Sequence, residues 1–189
     1  MTATPGDGRI SIGFKTSPQD VDWSTLDATW VAAGELAVFD SAWANDHLTD
    51  PGMVRGGSSV EALTMVAALA HRVPGRWIGH VVLSNTFRHP TLLAKAATAL
   101  DHITGGRFIL GLGAGWHKDE HRAYGIPLPP IGERISRLES AVRVIRALHS
   151  PEASTDAGVT VDDRWYPLRG AVNLPGPLTP GGPPIWLGG

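Results

Sequence analysis

The run Arg107-Phe108-Ile109-Leu110-Gly111-Leu112-Gly113-Ala114-Gly115-Trp116-His117 constrains the fold of this chain more than any other stretch. A short apolar segment that can be buried on both faces leads directly into glycines at alternate positions. Strands buried on both faces belong to parallel sheets, where helices cover the surfaces. The glycines mark a turn whose backbone can be approached closely, since no Cβ stands in the way. In parallel α/β folds ligands bind at the carboxyl ends of strands, so a strand that ends in glycines and a tryptophan is a candidate cofactor rim.

The remaining sequence alternates in the same sense. Ile10–Phe14 reads as a strand, followed by a helix with Trp23, Leu26, Trp30 and Ala33 on one face and Asp22 or Ser24 as cap. Val38–Ala44 reads as the second strand and ends in Asn45-Asp46-His47. A Gly/Ser-rich loop, Pro51–Ser58, precedes a helix over Ser59–His71, with Ser58 and Glu61 at capping-box spacing. Trp77–Leu83 is the third strand. Pro90 starts the next helix, Gly105-Gly106 closes it, and Leu92, Leu93, Ala96, Leu100 and Ile103 form its buried stripe. After the fourth strand, a helix over Gly132–His149 carries Ile135, Leu138, Val142, Ile145 and Leu148 on one side. The Pro- and Gly-rich stretch Ser150–Pro184 holds a hairpin candidate at Val159–Tyr166, and Ile185-Trp186-Leu187 is a short fifth strand. This pattern fits either an open doubly wound sheet or a closed (β/α)₈ barrel.

Composition narrows the chemistry. A length of 189 residues suits one domain, and 42 % hydrophobic with 18 % charged residues is the balance of a soluble globular protein. A formal charge of −2 gives no electrostatic case for nucleic acid or an anionic membrane as partner. Cysteine is absent, which removes disulfides, thiolate metal sites and cysteine nucleophiles. The start, Met1–Arg9, lacks an apolar signal-peptide core, so a cytoplasmic location is expected. The seven tryptophans are more than a small core needs, so some should line a site.

Several local motifs carry two readings each. The glycines 111, 113 and 115 depart from the dinucleotide fingerprint, because Trp116 stands where a third spaced glycine is required; they either serve a ligand or relieve crowding at a strand end. His117 and His121, four apart, could share a metal or belong to a solvated, charged first turn that includes Asp119 and Glu120. Asp46-His47 is either an acid–imidazole pair for proton exchange or a loop start. Ser84–Pro90 ends the third strand and at least begins a helix.

Taken together, Phe39–Leu48, Thr86–Pro90, Gly106–His117 continuing through Glu120–Gly125, Gly132-Glu133-Arg134 with Arg137-Leu138-Glu139, and Pro183–Gly189 resemble the bacterial luciferase-like oxidoreductases, especially the branch that uses the deazaflavin coenzyme F420. The resemblance implies a (β/α)₈ TIM barrel with F420, or alternatively FMN, across its C-terminal rim, and hydride transfer or oxygen activation on a small organic substrate. It implies His47 as the proton-handling residue. As cofactor-binding residues it implies Asp46, Val82, Ser84, Asn85, Gly113, Ala114, Gly115, Trp116, Gly188 and Gly189, and no metal. A bulge with a non-prolyl cis peptide is implied near Val82–Asn85. The sugar-phosphate dehydrogenases of the family carry an acidic residue where Trp116 stands, which implies a more apolar or carbonyl-bearing substrate here. Relatives have eight strands in about 250 residues or more. The chain is therefore expected to supply about five strand–helix units, the N-terminal portion of a barrel, completed by a missing C-terminal segment or another chain; a homo-oligomer and a non-catalytic remnant remain open.

Overall fold

The computed structural model describes residues 10–50 and 57–189. Met1–Arg9 and most of the Pro51–Ser58 loop lie outside them. Strands β1 (Gly13–Thr16), β2 (Ser41–Ala44), β3 (Trp77–His80), β4 (Leu83–Ser84), β5 (Phe108–Gly113) and β8 (Ile185–Leu187) form one all-parallel sheet. β3 and β4 both pair with β5, so they are two halves of one bulged strand, and the sheet holds five strands in the spatial order of the chain. Between them run helices α1 (Trp23–Glu35), α2 (Ala62–Leu69), α3 (Pro90–Thr104), α4 (Lys118–Ala123) and α5 (Ile131–Leu148).

Alternation along each strand builds two faces. Ala42, Ala44, Ile78, Phe108, Leu110 and Leu112 point to the helices and join Leu26, Trp30, Met65, Leu69, Leu93 and Ile145 in one core. On the other face, Trp43 of β2 stacks on Trp186 of β8 with ring centroids 5.2 Å apart. In a flat sheet these strands, three spacings apart, would be separated by roughly 14 Å. The sheet is curled, with its concave face inward, as a barrel wall requires. Among the described residues β1 pairs only with β2 and β8 only with β5, so the curl does not close.

Local chemistry sets the helix ends. Asp22 caps α1 by accepting from Thr25 N at 2.8 Å. Gly105, in the left-handed region at φ 62°, ends α3, and Gly106 N donates to Asp101 O. The Ser58–Glu61 capping box does not form. Glu61 is itself the N-cap, accepting from Thr64 N at 2.7 Å, so α2 begins at Ala62 rather than Ser59. Its second oxygen is held by Arg88 instead of a backbone N–H. In α3, Leu92 and Ile103 are exposed, and the buried stripe is Leu93, Ala94, Ala97, Leu100, Asp101 and Thr104. The burial of Thr98 and Asp101 explains the rotation. Asn173 donates to Thr98 Oγ1, and Asp101 accepts from Thr179 N and Oγ1, anchoring the Pro/Gly-rich excursion across this helix. The hairpin is β6 (Val159–Val161) with β7 (Leu168–Ala171), its turn set by Asp163 accepting from Trp165 N and Tyr166 N.

Candidate active site

Three strand ends meet at one rim through hydrogen bonds that the chain makes with itself. Ser84 pairs in register with Gly113, and Ser84 N donates to Asp46 Oδ2 at 2.8 Å. Between β3 and β4 the chain makes a cis peptide at Val81–Val82, one residue ahead of the segment expected for the bulge. Val82 then packs against β5. A Cβ on Gly113 would lie 2.6 Å from Val82 Cγ2 and 2.9 Å from Gly188 O, closer than packed atoms approach. Gly115 has φ +80°, and a side chain there would also meet Ser84 and Thr86. The alternate glycines thus serve crowding at the bulge, and by doing so they shape the rim. The crowding reading of the motif holds.

A cleft of about 1070 Å³ opens over this rim. Asp46, His47, Val82, Ser84, Gly113, Ala114, Gly115, Trp116, Gly188 and Gly189 all line it, as expected from sequence. Asn85 does not. Its N–H donates to Gly113 O, and its side chain lines a smaller cavity behind the rim. Asp46 borders the cleft, but its carboxylate is spent on protein partners. Arg88 donates to Oδ2 at 2.6 Å and to Oδ1 at 2.8 Å, and the Asp46 side chain is 1 % exposed. This buried pair, extended to Glu61, ties β2 to the β4–α3 loop. Burial opposes the charge on Arg88, yet its hydrogen bonds to Asp46 and Glu61 outweigh that and hold its pKa well above the ordinary value.

The opposite wall is apolar and comes from α5. Ile131, Ile135, Leu138 and Val142 fall on one edge of that helix and face the cleft, which is why Ile135 is exposed rather than core. Arg134 on the same helix donates to Gly115 O and to Pro129 O, fixing the turn after β5 against α5. Trp116, largely exposed, stands at the cleft mouth edge-on to His47 at 5.8 Å. Asn45 also lines the cleft, and its buried Oδ1 has no hydrogen-bond partner among the described residues.

The first turn of α4 is solvated on one side only, at Lys118 and Asp119. Glu120 and His121 are 1 % and 2 % exposed. Glu120 Oε2 meets His47 Nδ1 at 3.2 Å, and Oε1 accepts from Leu48 N at 2.5 Å and Thr49 N at 3.3 Å. Burial works to raise the Glu120 pKa, but the hydrogen bonds from His47, Leu48 and Thr49 prevail and lower it. His121 Nδ1 bonds His117 O at 2.7 Å, so that nitrogen carries the hydrogen and Nε2 accepts from the Thr86 hydroxyl at 2.7 Å. The Thr86 oxygen in turn accepts from Ser84 Oγ at 2.6 Å. His117 Nδ1 caps α4 by accepting from Glu120 N. Both imidazoles of the metal-pair reading are therefore engaged in the protein's own hydrogen bonds, and no group of three metal-ligating side chains occurs among the described residues.

Sequence reasoning missed Glu120, Thr86, Arg88 and Asn45. Glu120 had a signal: His117, Glu120 and Tyr124 share one helical face, and a face of that composition can turn inward as a hydrogen-bonding cluster. The Arg88–Asp46 pair, far apart in the chain, had none.

The comparisons with known proteins agree with this geometry. The family model described as luciferase-like monooxygenase matches residues 16–189. An F420-dependent glucose-6-phosphate dehydrogenase of Kribbella flavida is 35 % identical over 172 residues, covering 90 % of this chain and 49 % of that protein. An F420-dependent secondary alcohol dehydrogenase, solved with an F420–acetone adduct, superposes with a TM-score of 0.77 at 23 % identity, over 95 % of this chain and 52 % of its own. The coenzyme F420-dependent tetrahydromethanopterin reductase of Methanopyrus kandleri gives 0.74 at 19 %, over 96 % and 51 %. These two establish the fold alone, and the chain spans about half the length of the curated relatives it matches. A parallel, curled, partial barrel, matched by the family model along nearly its whole length, belongs to the luciferase-like monooxygenase family.

Proposed function

We propose that this chain forms the cofactor-binding half of an F420-dependent oxidoreductase acting on a small apolar or carbonyl-bearing substrate. The observation that carries the reading is the convergence of His47, the Val81–Val82 bulge and the Gly113–Trp116 turn on one wide cleft with an apolar wall. The residues present fit a planar redox ring. The cleft is large enough, and Val82 and the glycine turn form a low-lying floor on which a flat ring could rest. When bound, a deazaflavin supplies two-electron hydride chemistry.

The protein's own part is positioning and proton handling. Val82, Ala114 and the α5 edge exclude water from the ring face, and the tie from Arg134 keeps the turn in place. His47 Nε2, free of protein partners among the described residues, accepts the proton that leaves a substrate hydroxyl, or returns it to a carbonyl oxygen in the reverse direction. Trp116 narrows the mouth with an apolar surface, which favours a compact, uncharged substrate over a sugar phosphate. The substrate would be a small molecule; among the described residues no helix is long and apolar enough to cross a membrane.

Titration of the purified protein with F420 and, separately, with FMN tests the reading through quenching of tryptophan fluorescence. Saturable binding of F420 at least tenfold tighter than FMN is expected. Preference for FMN would move the assignment to an oxygen-using monooxygenase, and binding of neither would refute it.

A further inference from the structure

We infer that Glu120 is a positioning residue for His47, whose buried carboxylate selects the imidazole tautomer that leaves Nε2 open to the cleft. The inference rests on reading that cleft as the reaction site, but its structural content stands on hydrogen bonds alone. An ionised carboxylate only accepts, so the 3.2 Å contact between Glu120 Oε2 and His47 Nδ1 requires the hydrogen to sit on Nδ1. Nε2 is then the basic nitrogen. The carboxylate is held ionised by three donors together, His47 and the N–H groups of Leu48 and Thr49.

The backbone around His47 is held by two further side chains. Tyr124, one turn beyond Glu120, donates to Leu48 O at 2.8 Å, and Ser59 Oγ donates to His47 O at 2.7 Å. The ring itself is bounded edge-on by Trp116 at 5.8 Å and by His117 at 6.2 Å. A flip of the imidazole would lose this hydrogen bond and leave a buried carboxylate oxygen without its donor. Among the described residues, Glu120 and His117 are the titratable groups that face the ring.

The alternative is that Glu120 merely holds residues 48 and 49 in place. Glu120→Gln separates the two. The amide oxygen can still accept from Leu48 and Thr49, while the amide NH₂ faces Nδ1 as a donor and should invert the tautomer to Nε2–H. The experiment is long-range ¹H–¹⁵N NMR of the ¹⁵N-labelled protein at mildly alkaline pH, where imidazole is neutral, with His47 assigned by its loss in His47→Gln. In the unsubstituted protein Nε2 should resonate as an unprotonated nitrogen, and in Glu120→Gln as a protonated one. Nε2–H in the unsubstituted protein, or an unchanged tautomer in the variant, would overturn the inference. In the F420-loaded enzyme Glu120→Gln should lower kcat by about 10²–10⁴ with little change in KM, and an unaltered kcat would equally overturn it. The NMR measurement needs no ligand, so failure of the protein to bind F420 would refute the proposed function while leaving the tautomer result standing.

Discussion

Arg88 and Asp46 should behave as one energetic unit, and a double-mutant cycle measures how much. Arg88→Met removes a guanidinium from two charge-assisted bonds to a carboxylate whose side chain is 1 % exposed. Breaking a buried pair in this way costs about 3–5 kcal/mol, because the remaining charge loses its partner and cannot reach water. The Glu61 contact adds little, since that side chain is 41 % exposed and can be hydrated. Asp46→Asn keeps an acceptor for Ser84 N but surrenders the charge, and Arg88 retains Glu61; about 2–3 kcal/mol is expected from the loss of charged hydrogen bonds. The double variant should fall short of the summed losses by about 1–3 kcal/mol, since the second substitution removes a group already orphaned. Urea unfolding followed by tryptophan fluorescence gives all four values. Losses that add to within about 0.5 kcal/mol would refute the reading of Asp46 as a strut between β2 and the bulge.

Three further outcomes follow from the same geometry. Gly113→Ala drives a methyl group against Val82 and the Gly188 carbonyl, and should destabilise the chain by about 1–3 kcal/mol, read as a lower urea midpoint; a neutral effect would show that the bulge is not packed as described. His80 is fully buried with Nε2 near Ala62 O, and burial depresses its pKa from 6.5 to about 4. The unfolded chain therefore binds the extra proton between those values. The contribution of His80 is complete above pH 6.5 and is lost as pH falls to about 4, amounting to about 3 kcal/mol; the acid loss of stability should shrink by that amount in His80→Gln. Trp116→Glu should raise the KM for apolar carbonyl substrates by tenfold or more while leaving the unfolding free energy within about 0.5 kcal/mol, since the ring is largely exposed; an unchanged KM would remove Trp116 from the substrate side of the cleft.

Much of the fold was legible because it rests on periodicity. Buried strands, Pro90 at a helix start and Gly105 at its end are local signals, and each lies where its residue chemistry puts it. The faces of α3 and α5 were harder. Leu92 and Ile135 are as apolar as the residues buried beside them, and only the positions of the neighbouring segment and the cleft decide which is covered. The rim glycines and His47 announced a site through their residue types. What completes that site was hidden for two physical reasons. The Arg88–Asp46 pair depends on a long-range meeting that sequence spacing does not encode. Glu120, set among Lys118, Asp119 and Arg122, carries the composition of a solvated turn and is instead the buried member of the set.

The position of the bound ring is the most direct test. A crystal structure of the protein grown with F420 should show the deazaflavin over Val82 and the Gly113–Trp116 turn, with His47 Nε2 within hydrogen-bonding reach of the substrate position. Density for the ring elsewhere, or with the His47 imidazole turned away from it, would contradict the assignment of this rim as the reaction site.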